Sequence, residues 1–144
     1  MSADGFVRLD GGDSGSRPPL VLVHGVGLDH TMWDLVVDEL AADRLVVRYD
    51  LLGHGRSPDP PGERSVDHFV DQCLAVVEAY AGPAPDVAGH SLGGVIALGL
   101  AARHPGRLRC LALLNTVFDR TPAEVLGARG RLALAGAEGL GPVA

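Results

Sequence analysis

The sequence contains no lysine, and all 12 of its basic residues are arginine, a bias to which we attach no function. Acidic residues outnumber them and give a formal net charge of −6 at pH 7. Proteins that bind nucleic acid or an anionic membrane surface usually carry an excess of positive charge, and the net negative charge of this chain gives no such signal. The composition therefore predicts no nucleic-acid partner and no membrane partner.

Cysteines and long apolar runs are also scarce. Cys73 and Cys110 have no spacing typical of a metal site, and each lies in an apolar segment. We expect two buried free thiols, which suit a reducing cytosol. The longest apolar passage, residues 95–102, is too short to span a bilayer. No positively charged leader opens the sequence, so we expect no secretion signal and a cytoplasmic protein.

The chain does contain a regular alternation of apolar runs and amphipathic segments. Its 144 residues suffice for one domain with a substantial core. Helices are predicted to begin at Asp29 or Thr31, at Ser65 and after Ser91. Strands are predicted at residues 6–9, 20–23, 45–47, 87–88 and 108–114. This order predicts an α/β fold with a mostly parallel sheet and helices on both faces.

The periodicity also predicts which helix faces are buried. In the first helix these are Trp33, Val36, Val37 and Leu40; in the second they are Val66, Phe69, Val70, Cys73, Val77 and Tyr80. Residues 117–144 are rich in small residues and glycine, with helical patches. We therefore expect a core over residues 1–116 and the start of a helical cap over residues 117–144.

A serine at the centre of residues 89–93, Gly-His-Ser-Leu-Gly, carries the strongest chemical signal. The segment is entered by an apolar run and left by a stretch of helix-forming residues, which predicts a strand, a tight turn and a helix. The chain passes so close to itself at such a turn that Gly89 and Gly93 are needed to prevent collisions. The pattern predicts that Ser91 is a nucleophile at a helix N-terminus.

A second loop, His24-Gly25-Val26, follows a predicted buried strand. Acyl transfer needs two N–H donors directed at the oxyanion of the tetrahedral intermediate. The backbone N–H groups of Val26 and Leu92 are the two candidates for this oxyanion hole. The alternative is an ordinary turn at the end of a strand.

The same stretch also imitates a dinucleotide-binding fingerprint. Gly25 and Gly27 follow a strand, and Asp50 closes the next strand. His30 occupies the third glycine position, where its bulk opposes close packing of helix on strand. The interpretation favoured for Asp50 is a structural one, in which it accepts hydrogen bonds from N–H groups of the loop at residues 50–57.

The histidines outside His24 are assigned no chemistry. His54 lies in a loop, and the side chain of His90 is expected to point away from that of Ser91. The remaining histidines, His30, His68 and His104, are expected to be solvated or to cap helices. No spacing of His, Cys, Asp or Glu predicts a metal site.

Three motifs in this order resemble the α/β-hydrolase superfamily: residues 20–25, 48–57 and 89–94. Finer features at residues 32–34, 113–116 and 121–122 are similar to the 3-oxoadipate enol-lactonase branch, although esterase and C–C hydrolase branches share most of them. The resemblance implies Ser91 as nucleophile, the Val26 and Leu92 N–H groups as oxyanion hole, a small ester or lactone as substrate, and no cofactor. It makes no prediction of oligomeric state.

The resemblance also implies that a carboxylate and then a histidine follow the nucleophile in chain order. The last histidine of the sequence is His104, and beyond Thr116 the acids are Asp119, Glu124 and Glu138. We therefore expect only the N-terminal portion of the fold. Two functional hypotheses follow: a serine hydrolase acting through an acyl-enzyme, or a non-catalytic fragment that serves in binding or assembly.

Overall fold

The computed structural model describes residues 5–12, 16–117 and 119–138. Five strands lie in these ranges: β1 (Val7–Asp10), β2 (Leu20–Val23), β3 (Val46–Tyr49), β4 (Asp86–His90) and β5 (Cys110–Leu114). They form one sheet in the order β1-β3-β2-β4-β5, in which β1 is antiparallel to β3 and the other pairs are parallel. The predicted α/β fold with a mostly parallel sheet is confirmed.

Helices cover both faces of the sheet. On one face, a 3₁₀ helix (His30–Trp33) leads to the short α1 (Val37–Leu40). On the other face lie α2 (Val66–Val76), which continues as a π-helical turn (Val77–Ala81), and α3 (Leu92–Arg103). A fourth helix, α4 (Pro122–Glu138), follows β5. No helix within the described residues is both long and apolar enough to cross a membrane.

The central strands are buried on both sides because their side chains alternate between two cores. Val21 and Val23 of β2 pack with α2 and α3, whereas Leu20 and Leu22 pack with Trp33 on the α1 side. Burying one such aliphatic side chain contributes about 1.5–3 kcal/mol. The prediction that the continuous apolar run of β2 forms a strand covered on both faces is therefore confirmed.

Three predicted core residues are exposed instead. Val36 lies between the 3₁₀ helix and α1, so the single helical period assumed for that segment does not exist. Val66 is exposed because it is the first residue of α2. Tyr80 is exposed because it lies in the π-helical turn, whose wider spacing shifts side chains out of the α-helical register.

The predictions for the two cysteines have opposite outcomes. Cys73 is buried, as predicted, but Cys110 is exposed. The prediction for Cys110 was wrong because β5 is an edge strand among the described residues, and its apolar composition does not bring burial there. Beside it, on the α1 side, an apolar groove of about 490 Å³ opens between Trp33, Ala88 and Leu114.

The segment after β5 is helical, in the form of α4. Residues 118 and 139–144 of the predicted cap lie outside the described residues. The division of the chain at residue 116 stays a prediction.

A buried arginine joins β3 to β1 and to the 3₁₀ segment. Arg48 has no exposed side-chain area, and its guanidinium donates to both carboxylate oxygens of Asp10, at 2.8 and 3.1 Å. It also donates to Asp34 Oδ1 at 2.6 Å and to the carbonyl oxygen of His30 at 3.2 Å. Burial raises the pKa of Asp10, but the hydrogen bonds and charge of Arg48, with those of Arg8, hold it below its ordinary value.

We predict that Asp10→Asn lowers the free energy of unfolding by about 1–3 kcal/mol at neutral pH, because it removes one partner of a buried charge. The folded-state pKa of Asp10 is depressed, so this stabilisation is complete above pH ~4 and is lost as the pH falls through that depressed value. Urea unfolding of both proteins between pH 7 and pH ~3 measures the difference.

Asp59→Asn is the control for this experiment, because Asp59 pairs with Arg64 on the surface and exposed pairs contribute little. A difference between wild type and Asp10→Asn that stays constant down to the lowest pH would contradict the account.

Candidate active site

Ser91 lies at the turn between β4 and α3, with φ 53° and ψ −115°. A positive φ is uncommon for any residue other than glycine, and such strain persists only where the surrounding structure enforces it. The side chain is neither interred nor in mid-helix, since Ser91 is half-buried and precedes the first residue of α3. The predicted strand, tight turn and helix are confirmed.

Two glycines allow this turn to form. A Cβ atom on Gly89 would collide with the backbone of Gly93 and Gly94. A Cβ atom on Gly93 would collide with the carbonyl groups of Val23 and His24 at the end of β2. The predicted need for glycine at both positions is confirmed: α3 begins in backbone contact with two strands.

The main chain of Ser91 is held on both sides. Its N–H donates to the carbonyl oxygen of Leu114 at 2.9 Å, and its carbonyl oxygen accepts the N–H of Gly94 at 3.0 Å. The hydroxyl makes no capping hydrogen bond to α3. Leu92 is the first residue of α3, and an N–H at that position has no acceptor within its own helix.

The loop at residues 25–28 lies directly against Ser91. A Cβ atom on Gly25 would be 3.2 Å from the Cβ atom of Ser91, so only glycine allows the two segments to approach this closely. The loop is a turn, closed by the N–H of Leu28 on the carbonyl oxygen of Gly25 at 3.3 Å. Val26 lies within it and is 65% exposed. The structure thus places Gly25, Ser91 and the start of α3 together.

His24 holds the first end of this loop. It is fully buried, and its Nε2 accepts the N–H of Leu51 at 2.9 Å. The other ring nitrogen of a neutral imidazole carries hydrogen, so Nδ1 donates to the carbonyl oxygen of Gly25 at 2.8 Å. Burial lowers the pKa of His24 below its ordinary value, which favours this neutral form. Its place is structural, since both nitrogens are already used.

Asp50 holds the other end of the loop, through His30. Its Oδ1 accepts the backbone N–H of His30 at 2.7 Å and lies 2.8 Å from His30 Nδ1. Its Oδ2 accepts the N–H of Arg56 at 2.8 Å, which confirms the predicted bond to a loop N–H. Sequence reasoning missed the pair of Asp50 and His30, because 20 residues separate them and no local pattern links them.

These contacts weigh against two other uses of Asp50. The residue is fully buried, so its carboxylate cannot bind the ribose hydroxyl of a dinucleotide, as the acidic residue of a dinucleotide-binding fingerprint does. One oxygen or nitrogen atom each of Asp29, His30 and Asp50 lie within 4.8 Å of one another, a donor set that could hold a metal ion. However, Asp50 and His30 bind each other there, and Asp29 Oδ1 caps the 3₁₀ helix by accepting the N–H of Thr31 at 2.8 Å.

The other histidines divide between helix ends and loops. His68 caps α2, since its Nδ1 accepts the N–H of Ser65 at 3.0 Å, and His104 lies at the C-terminal end of α3. His54 lies 2 residues from Leu52, whose carbonyl oxygen is 3.1 Å from its Nδ1. The prediction of a solvated or capping histidine is wrong for His30 alone, which is buried against Asp50.

Residues 18–134 match the sequence model of the α/β-hydrolase fold. Because this match covers most of the chain, the chain belongs to the α/β-hydrolase family. The strand, serine turn and helix described above therefore belong to this fold. Several of the proteins that are similar to the chain are hydrolases.

Individual relatives agree with this assignment. The chain is 40% identical over 114 residues to 2-hydroxymuconate semialdehyde hydrolase of Pseudomonas sp. (strain CF600). The aligned segment covers 76% of this chain and 40% of that protein. It is similar to the enol-lactonase of Burkholderia xenovorans LB400, with 32% identity and a TM-score of 0.83 over 96% of this chain and 52% of that one. A hydrolase from Pseudomonas aeruginosa PA01 gives 32% identity and a TM-score of 0.81, over 95% and 51% of the two chains.

The chain spans 40% of the length of this curated relative and about half of the length of the two solved structures. An enol-lactonase is among the structural neighbours, in agreement with the predicted resemblance.

We predict that Gly89→Ala lowers the free energy of unfolding by about 3 kcal/mol or more, because the added methyl group meets backbone that cannot move aside. The matched control is Gly130→Ala in α4, where a Cβ atom meets nothing within 4 Å. That substitution should leave stability unchanged or raise it by up to about 1 kcal/mol. Denaturant unfolding measures both variants, and an equal effect at the two positions would contradict the packing described for the turn.

Proposed function

We propose that the protein is a serine hydrolase of a small carboxylic ester or lactone, with Ser91 as its nucleophile. The observation that carries the proposal is the strained backbone of Ser91 at the N-terminus of α3, with Gly25 of the neighbouring loop packed against its Cβ atom. A serine held this way has a side chain committed to no structural hydrogen bond of the helix. Natural folds rarely retain such strain without a use for it.

In the proposed reaction, Ser91 Oγ attacks the carbonyl carbon of the substrate and transfers its proton to a general base. The carbonyl oxygen becomes an oxyanion, which the backbone N–H groups of Val26 and Leu92 bind. The N-terminus of α3 adds favourable electrostatic interaction with that charge. The C–O bond to the leaving group then breaks to give an acyl-enzyme, and water releases the acid.

The relatives support a small substrate. One solved neighbour is an enol-lactonase, and one curated relative is a semialdehyde hydrolase. Cleavage of a C–C bond is the alternative reaction, because the sequence motifs are also similar to those of C–C hydrolase branches. No cofactor is required by the proposed chemistry, and a cytoplasmic location stays a prediction.

A serine hydroxyl needs a general base, and in the family pattern the catalytic histidine follows the nucleophile in chain order. The one histidine that follows Ser91 in this sequence is His104. It lies at the far end of a 12-residue helix, about 20 Å from Ser91 along the helix axis. The buried histidines His24 and His30 are held by Leu51 and Asp50. We therefore propose, as the second candidate, that the isolated 144-residue chain is non-catalytic and serves in binding or assembly.

For the first proposal we predict that a fluorophosphonate labels Ser91 in the full-length gene product. Ser91→Ala should abolish labelling and lower kcat/KM for p-nitrophenyl acetate by at least about 10³-fold. The control is Ser65→Ala, which removes an exposed helix-capping serine and should leave labelling intact. Peptide mass spectrometry locates the adduct. Full turnover by Ser91→Ala would overturn the proposal.

For the second proposal we predict no p-nitrophenyl acetate hydrolysis by the isolated 144-residue chain above that of its Ser91→Ala variant. The reason is that residual rates without a base are far below those of an enzyme. Turnover that the Ser91→Ala variant loses would contradict this prediction.

A further inference from the structure

The loop at residues 25–28 has little packing of its own. Val26 and Leu28 are exposed, at 65% and 41%. Gly27 has a φ of 74°, and a Cβ atom there would meet nothing within 4 Å. Burial of side chains therefore does not hold residues 26–28 in place. The Gly25 carbonyl, which belongs to the same peptide unit as the Val26 N–H, accepts hydrogen bonds from His24 Nδ1 and the Leu28 N–H, and the other side of the loop depends on the segment that follows it.

Both ends are fixed to the two residues that follow β3. His24, before the loop, accepts the N–H of Leu51, and His30, after it, binds the carboxylate of Asp50. The ends are themselves secure: Asp50, His24 and His30 are all buried. The ring of His30 also packs on Phe6, with ring centroids 4.6 Å apart.

The contacts of Asp50 are selective for a carboxylate. Its side chain faces two backbone N–H groups, those of His30 and Arg56, and the Nδ1 atom of His30. Because an ionised carboxylate only accepts hydrogen bonds, His30 Nδ1 must carry a hydrogen. A carboxamide would present its NH₂ group to at least one of these N–H donors, which leaves a buried donor without an acceptor.

We propose that Asp50, acting through His30, is a positioning residue that sets the place of the Val26 N–H beside Ser91. This inference rests on the proposed function, and it adds a residue pair that the motifs at residues 24–26 and 89–93 do not include. Asp50 does not touch the substrate. Its effect is on the transition state, because an oxyanion donor displaced by about 1 Å loses much of its contribution.

The test uses the fluorophosphonate on the protein as its natural gene encodes it, with the rate of inactivation separated into the binding constant KI and the maximal rate kinact. We expect Asp50→Asn to lower kinact about 10-fold or more and to leave KI within about twofold, because only the charged transition state uses the loop N–H. Asp59→Asn is the control: it makes the same chemical change at an exposed position in the same loop region and should leave kinact unchanged.

Substitutions of His30 test the same link from the other side. His30→Leu replaces the imidazole with an apolar side chain of similar size, which removes the Nδ1 donor, and should lower kinact as Asp50→Asn does. His30→Asn places an amide N–H close to the position of Nδ1 and should restore most of the rate. If Asp50→Asn fails to fold, this pair decides. A purely structural role would not give rescue in kinact at constant KI.

Backbone ¹⁵N order parameters of residues 25–28 give a readout that needs no chemistry. We expect them to fall toward about 0.6 in Asp50→Asn and His30→Leu, from about 0.85 in wild type and His30→Asn. Folded variants with unchanged kinact, or with unchanged order parameters, would overturn the inference. A wild-type protein that is not labelled at Ser91 would overturn the proposed function instead, and the order parameters would still decide whether Asp50 anchors the loop.

Discussion

Close approach of backbone to backbone at the start of α3 is the constraint on which the site depends. Gly93 lies against the carbonyl groups at the end of β2, and Gly89 lies against the first turn of the helix that follows it. No side chain fits between these segments. The strain at Ser91 is therefore imposed by the packing of a parallel sheet and its crossover helix, and the same packing brings the loop after β2 to within contact of the serine.

The carboxyl end of β3 completes this arrangement. The parallel strands β2, β3 and β4 end at the same edge of the sheet, which is where ligands bind in open α/β folds. Asp50 and Leu51 continue from β3 at that edge and hold the loop after β2 through two buried histidines. Arg48, within β3, ties the same 3₁₀ segment to β1. One strand thus supports the site although it contributes no reacting group.

Local patterns in the sequence predict most of this architecture. The apolar run of β2 and the glycines around Ser91 are signals spread over only a few neighbouring residues, and the structure agrees with both. The failures have long-range causes. Cys110 is exposed because of where β5 lies in the sheet, and Tyr80 because a π-helical turn changes the helix register. Likewise, the contact of His30 with Asp50 exists only once β2 and β3 are adjacent.

A crystal structure of the phosphonate adduct would show whether Ser91 and the two N–H groups form one site. We expect a phosphorus atom bonded to Ser91 Oγ, with its phosphonyl oxygen about 2.7–3.1 Å from the backbone nitrogens of both Val26 and Leu92. A phosphonate bonded to another residue, or an oxygen directed away from those two N–H groups, would contradict this expectation.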